Sequence, residues 1–301
     1  MAELWNEIAE KVGNLAGKWT SYAALGSFLL YLAGYLTLRF QLSTYGVATN
    51  LDVFDEKYLF AGCRFLVYLV SCVPDILVII LPLAAIAYVP YKLAPASFKE
   101  RAGRWVSELW APPARLPLLG VVAGVAMIQF VLRKVFGFGN LLLRKNLPQE
   151  WLSSVLLSSD LNLSLYFNGI VTGVLVTGGI LLYVLRRDGA RNGASDLFVG
   201  ILVFLVAVEF LLLPVNYGVL ISTQQLPRVA EVSGEKLPDG TRIWLVWDSK
   251  DVLTYFARDP GDQRMLISVP RKDSKVKIVG YDDIFCELFS ANHAGPRPCP
   301  R

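Results

Sequence analysis

Two carboxylates in this 301-residue chain lie inside long apolar runs: Asp75, midway through residues 59–90, and Glu209, within residues 197–221. An acidic group in hydrocarbon costs about 3 kcal/mol on insertion scales, so each should face protein or water. There a carboxylate can bind a cation, hold a proton or relay one. Counting helical rise from the ends of the two runs puts both at one depth, on the order of 20 Å from one boundary. This predicts an intramembrane functional pair, with Arg64 and Arg133 as available counter-charges nearer the other end. The competing reading is that each carboxyl is neutral, or is satisfied by a neighbouring serine, tyrosine or arginine, and only fixes packing.

No catalytic set accompanies the pair. The chain has no Gly-x-Ser-x-Gly, His-Glu-x-x-His, P-loop or dinucleotide fingerprint, and its one histidine, His293, falls in a Gly/Pro-rich stretch. Histidine acid–base chemistry and zinc or haem ligation are therefore not expected, nor is a resident metal or cofactor. Cys63 and Cys72 lie nine positions apart in one apolar run, cannot bridge, and are expected to pack as small apolar groups. Cys286 and Cys299 can form a disulfide if that end faces an oxidising compartment, and the free state is the open alternative. Asn162-Leu163-Ser164 matches a glycosylation acceptor, a common pattern.

The elements that must position these groups are apolar. A chain that is 54% hydrophobic and 18% charged reads as a polytopic helical membrane protein. Its net charge of +4 comes from Lys and Arg residues spread between the apolar runs, which is loop charge and not a nucleic-acid footprint. About five spans are expected, near 22–40, 59–90, 116–136, 166–185 and 197–221. The second is longer than a roughly 30 Å hydrocarbon core requires, and Pro74 and Pro82 predict a tilt or kink. Residues 1–21 place Leu4, Trp5, Ile8, Val12 and Leu15 opposite Glu3, Glu7 and Lys11, as in an interfacial helix or one that faces the core, and not a cleaved leader.

Residues 91–115 mix five basic residues with Trp105 and Trp110, the composition of a helix along an anionic leaflet, ended by Pro112 and Pro113. Between the third and fourth spans, Trp151 opens a short apolar piece expected to be re-entrant or interfacial. Gly120 with Gly124, and Gly169 with Gly173, have the Gly-x-x-x-Gly spacing that lets helices approach closely, within or between subunits.

Residues 222–289 differ in kind. Short runs at 241–247, 252–258, 264–269 and 275–279, rich in β-branched and aromatic residues, predict a small soluble β domain, a meander or an SH3-like barrel, closed by a helix over 282–289. Asp248-Ser249-Lys250-Asp251 and Asp259-Pro260-Gly261-Asp262 are the expected hairpin turns, and residues 290–301 the expected disordered tail. Ten Lys/Arg residues in one set of connections against six in the other predict a cytoplasmic N-terminus and an outside C-terminal domain, in the plasma (inner) membrane.

The function expected from these features is non-enzymatic: an integral membrane accessory subunit presenting its β domain to a membrane-protein partner or to a homo-oligomer. The alternative is an oligomeric ion channel or transporter using Asp75 and Glu209. Lipid bilayer and protein are the expected partners, and nucleic acid is not.

Overall fold

The computed structural model describes residues 19–47, 56–109, 115–135, 141–143, 160–187, 193–221, 225–232, 235–273 and 275–284, apart from some side chains within the helices. The expectations for residues 1–18, Pro112, Pro113, Trp151, Cys286, His293, Cys299 and the tail lie outside the described residues.

Six helices are described: α1 (Trp19–Tyr45), α2 (Glu56–Leu93), α3 (Ala96–Leu109), α4 (Arg115–Val135), α5 (Asp160–Arg187) and α6 (Gly193–Leu220). A 3₁₀ turn, η1 (Leu141–Leu143), follows α4. Four of the helices hold a stretch long and apolar enough to cross a membrane: Ser21–Tyr45, Glu56–Val78, Leu161–Arg186 and Leu197–Leu220. The apolar stretch of α4, Leu118–Phe130, is shorter. Four such helices and a C-terminal antiparallel sheet agree with the expected class, a helical membrane protein with a β portion. In α2 the helix continues through Pro74, Pro82 and Pro90.

The α6 helix lies at the centre, in contact with α1, α4 and α5. Close approach on one side is made by glycine. A Cβ on Gly34 would lie 1.7 Å from the Tyr58 carbonyl oxygen, and one on Gly62 would lie 1.9 Å from that of Leu30. These pairings also show that α1 and α2 run antiparallel. A Cβ on Gly218 would lie 2.3 Å from the Thr37 carbonyl oxygen, and the Thr37 hydroxyl donates to the Pro214 carbonyl at 3.1 Å, locking α6 to α1. Of the glycines singled out by spacing, a Cβ on Gly173 would lie 3.0 Å from Val125 of α4, whereas one on Gly120, Gly124 or Gly169 would meet nothing within 4 Å among the described residues.

The sheet contains β1 (Gln225–Val229), β2 (Arg242–Asp248), β3 (Val252–Arg258), β4 (Arg264–Pro270) and β5 (Ile278–Asp283), in the order β4-β3-β2-β1-β5 with every neighbouring pair antiparallel. Both expected turns form. Ser249 N–H bonds the Val252 carbonyl at 3.0 Å, and Asp262 N–H bonds the Asp259 carbonyl at 3.1 Å. Asp262 itself adopts φ 62°, a left-handed conformation that Asp tolerates better than most residues.

Among the described residues β4 and β5 are the ends of this order, with β5 returning beside β1. Two features differ from expectation. Asp282 and Asp283 belong to strand β5 and not to a closing helix, because they pair with Leu226 and Gln225. The strand β1, with Pro227 inside it, has a poor strand composition. It is tolerated because β2 pairs only Arg228 and Val229, beyond the proline.

Side chains alternate across the sheet, apart from the irregularities at Leu245–Trp247 of β2 and Arg228–Val229 of β1. Ile243, Leu253, Tyr255, Ala257 and Val269 point to an outer core covered by Val232, Leu237 and Val276. Trp244, Val246 and Phe256 point the other way, into one continuous core with Leu42, Tyr45, Phe65, Leu141, Phe167 and Tyr217 of the helical part. The sheet is therefore seated on the end of the bundle. Lys57, at the start of α2, clamps it by donating to the Asp248 carbonyl while lying 5.0 Å above the centre of the Trp247 ring.

Candidate functional site

The polar groups inside the bundle are placed by an aromatic cluster. The Tyr68 ring of α2 lies 5.3 Å from Phe167 of α5 and 5.2 Å from Tyr217 of α6, and Phe167 lies 6.2 Å from Tyr217. The next residues along the chain, Asn168 and Asn216, must then lie within about one helical rise of that level. Both are buried. Asn168 Nδ2 donates to Asp75 Oδ2 at 3.4 Å, and Asn216 Nδ2 donates to Gln129 Oε1 of α4 at 3.4 Å and to the Leu212 carbonyl at 3.0 Å. One level of the bundle thus carries an amide or carboxylate from each of α2, α4, α5 and α6.

Deeper along α5, Thr177 donates its hydroxyl to Glu209 Oε2, and both residues are fully buried. A carboxylate held by one hydroxyl is under-satisfied, since it can accept about four hydrogen bonds. Glu209 Oε1, Gln129 Nε2, Asn168 Oδ1 and the Tyr166 hydroxyl are all buried without a hydrogen-bond partner among the described residues. Each such atom typically costs about 1–3 kcal/mol, which is the kind of debt that a bound water, proton or ion relieves.

The structure does not bring Asp75 and Glu209 together. Their partners, Asn168 and Thr177, are nine residues apart on α5, about 13 Å along its axis. The two carboxyls thus meet α5 at different levels along it. From Tyr68 to Asp75, α2 advances seven residues while its α5 partner moves only from Phe167 to Asn168. Position along such a helix does not measure depth.

Of the expected counter-charges, the structure describes the side chain of Arg64 alone. Arg64 is exposed on α2, eleven residues before Asp75 and about 16 Å away by helical rise. Arg133 lies in α4 with its side chain outside the described ones. Cys72 is buried and its thiol donates to the Tyr68 carbonyl at 3.2 Å, whereas Cys63 is exposed, so only the first packs inward.

Sequence reasoning missed Gln129, Asn168, Thr177 and Asn216. Each is a polar residue inside an apolar run, a weak signal that a search limited to charged residues passes over. Among the described residues no three His, Cys, Asp or Glu side chains converge on a common point. Compared with known proteins, the chain matches no family model, no curated protein and no solved structure.

Proposed function

We propose that the chain is an integral membrane accessory subunit whose helical bundle holds the sheet at one membrane surface as a docking platform for another membrane protein. The observation that carries this reading is the edge strand β5. Among the described residues it is paired with β1 alone, and Ile278, Val279 and Tyr281 are exposed on it, at 47%, 48% and 64%. An unpaired apolar edge invites strand addition. Seating the sheet on the helix ends gives that edge a set orientation to the bilayer. On this reading α4 also crosses, because the Gln129–Asn216 contact runs it alongside α6. Five crossings and the Lys/Arg bias then put the N-terminus in the cytoplasm and the sheet outside, at the plasma (inner) membrane.

A photo-crosslinking residue in place of Tyr281, in native membranes, tests the platform. A discrete protein adduct that disappears with Val279→Lys is expected, whereas lipid adducts alone would remove the reading. For the orientation, a cysteine at position 262 in a chain without its native cysteines should react with an impermeant maleimide in intact cells.

A second reading, ion or proton transport through an oligomer, is favoured by one observation: the free oxygen of Glu209 in a fully buried setting. Liposome flux compared between wild type, Asp75→Asn and Glu209→Gln decides it. Flux that is absent, or unchanged in both folded variants, excludes the role.

A further inference from the structure

The bare face of α2 carries charge at matched positions. Within the apolar stretch Glu56–Val78, the exposed residues include Phe60, Arg64, Val67, Ser71, Asp75 and Val78, with Phe60 at 62%, Val67 at 70% and Val78 at 71%. The steps between them are four, three, four, four and three, so they form one stripe along the helix. The chain's own helices cover the other side, where Tyr58, Ala61, Phe65, Cys72 and Ile76 are buried. Eleven residues are close to three full turns, so Arg64 and Asp75 lie on nearly one line, about 16 Å apart. Among the described residues no carboxylate pairs with Arg64 and no cation pairs with Asp75, whose partner is the neutral amide of Asn168. A cation and an anion at either end of an apolar stripe on the exposed side of α2, where Asp75 reaches back only to the neutral Asn168, are stabilised in a membrane by opposite charges on a partner.

We infer that this stripe receives one transmembrane helix of a different protein, bearing a carboxylate against Arg64 and a Lys or Arg against Asp75, three turns apart. A second copy does not fit. Copies in one membrane share an orientation, so a twofold axis along the membrane normal sets Asp75 against Asp75 and Arg64 against Arg64. Among the described residues no other apolar helix has an acid and a base at that spacing. The inference rests on the docking reading above and assigns its partner within the membrane.

The test uses the full chain in phosphatidylcholine liposomes with synthetic transmembrane peptides of Leu and Ala. The peptides carry Glu and Lys eleven positions apart, or Glu/Glu, Lys/Lys or no charge at those positions, and association is read by energy transfer. Wild type should bind the Glu/Lys peptide at least tenfold more tightly than any other. Arg64→Glu should shift the preference to Lys/Lys, and Asp75→Arg to Glu/Glu, an outcome independent of peptide orientation. Binding indifferent to peptide charge, or absent for the Glu/Lys peptide, overturns the inference. The wild-type series decides this even if a variant does not fold. A Tyr281 adduct that survives such a result would leave the sheet as the docking platform and remove only the helix partner.

Discussion

On the α1–α2–α6 side of the bundle, helices meet backbone to backbone across Gly34, Gly62 and Gly218, whereas on the α4–α5–α6 side they meet through side chains. The second side also holds the buried polar pairs, Gln129 with Asn216 and Glu209 with Thr177, and the unpartnered buried atoms of Gln129, Tyr166, Asn168 and Glu209. The first side has no space to change. The second has unused hydrogen-bonding capacity. This difference divides the labour of the fold: the glycine-packed side fixes the sheet through Tyr45, Phe65 and Tyr217, and the polar side is where protonation or hydration can act.

Substitution of the close-approach glycines has the largest expected effect. In Gly34→Ala or Gly62→Ala the new methyl falls on a backbone oxygen, which cannot step aside, so α1 and α2 must separate. A loss of roughly 3 kcal/mol or more is expected, read as thermal unfolding in detergent. Gly120→Ala, into open space, should stay within about 0.5 kcal/mol of wild type. Equal losses for the two substitutions would erase the contrast between the sides.

Glu209 sharpens the other half of the comparison. Glu209→Ala removes buried volume and leaves Thr177 without its acceptor, for an expected loss of about 2–3 kcal/mol. Glu209→Gln keeps the shape and an acceptor and should change stability by less than about 1 kcal/mol. If the Gln variant unfolds like the Ala variant, the side chain is needed as a carboxylate for folding and the idea of a tolerant polar side fails.

A smaller loss is expected where the sheet meets the helices. Lys57→Met removes the bond to the Asp248 carbonyl and the contact with the Trp247 ring, at about 1–2 kcal/mol. Faster proteolysis within residues 225–284, with the helices intact, is the measurable sign.

The smallest effect lies in the β3–β4 turn. Partial burial pushes the Asp262 carboxyl up, but Arg264 at 3.3 Å and Arg258 at 2.7 Å outweigh it and hold the group below its ordinary range. A depressed folded pKa contributes stability above the unfolded value of about 3.9, and that contribution is lost as pH falls through the folded value. Acidification below about pH 4 should therefore remove a few tenths of a kcal/mol in wild type and nothing in Asp262→Asn, measured as the difference between their unfolding curves.

The strands β2 to β4 and their turns were legible in the chain because alternation and turn chemistry are local. Ile243, Trp244, Leu245 and Val246 face opposite cores by backbone geometry alone, and the turn Asp259-Pro260-Gly261-Asp262 closes on its own hydrogen bonds. The apolar helices were legible for the same reason, since crossing a membrane is a matter of length and composition. β1 was not, because Pro227 argues locally against a strand and only pairing with β5 overrules it. Nor were the packing glycines. Gly34 and Gly62 lack the spacing motif that Gly120 and Gly124 have, yet they are the ones another backbone reaches. Membrane character, the apolar helices and the strand pattern follow from periodicities that each segment carries by itself. The depth of Asp75, its separation from Glu209, the polar level across four helices and the seating of the sheet depend on helix tilt and on which faces meet. Only the packed chain decides those, because they are sums over contacts between residues far apart in sequence.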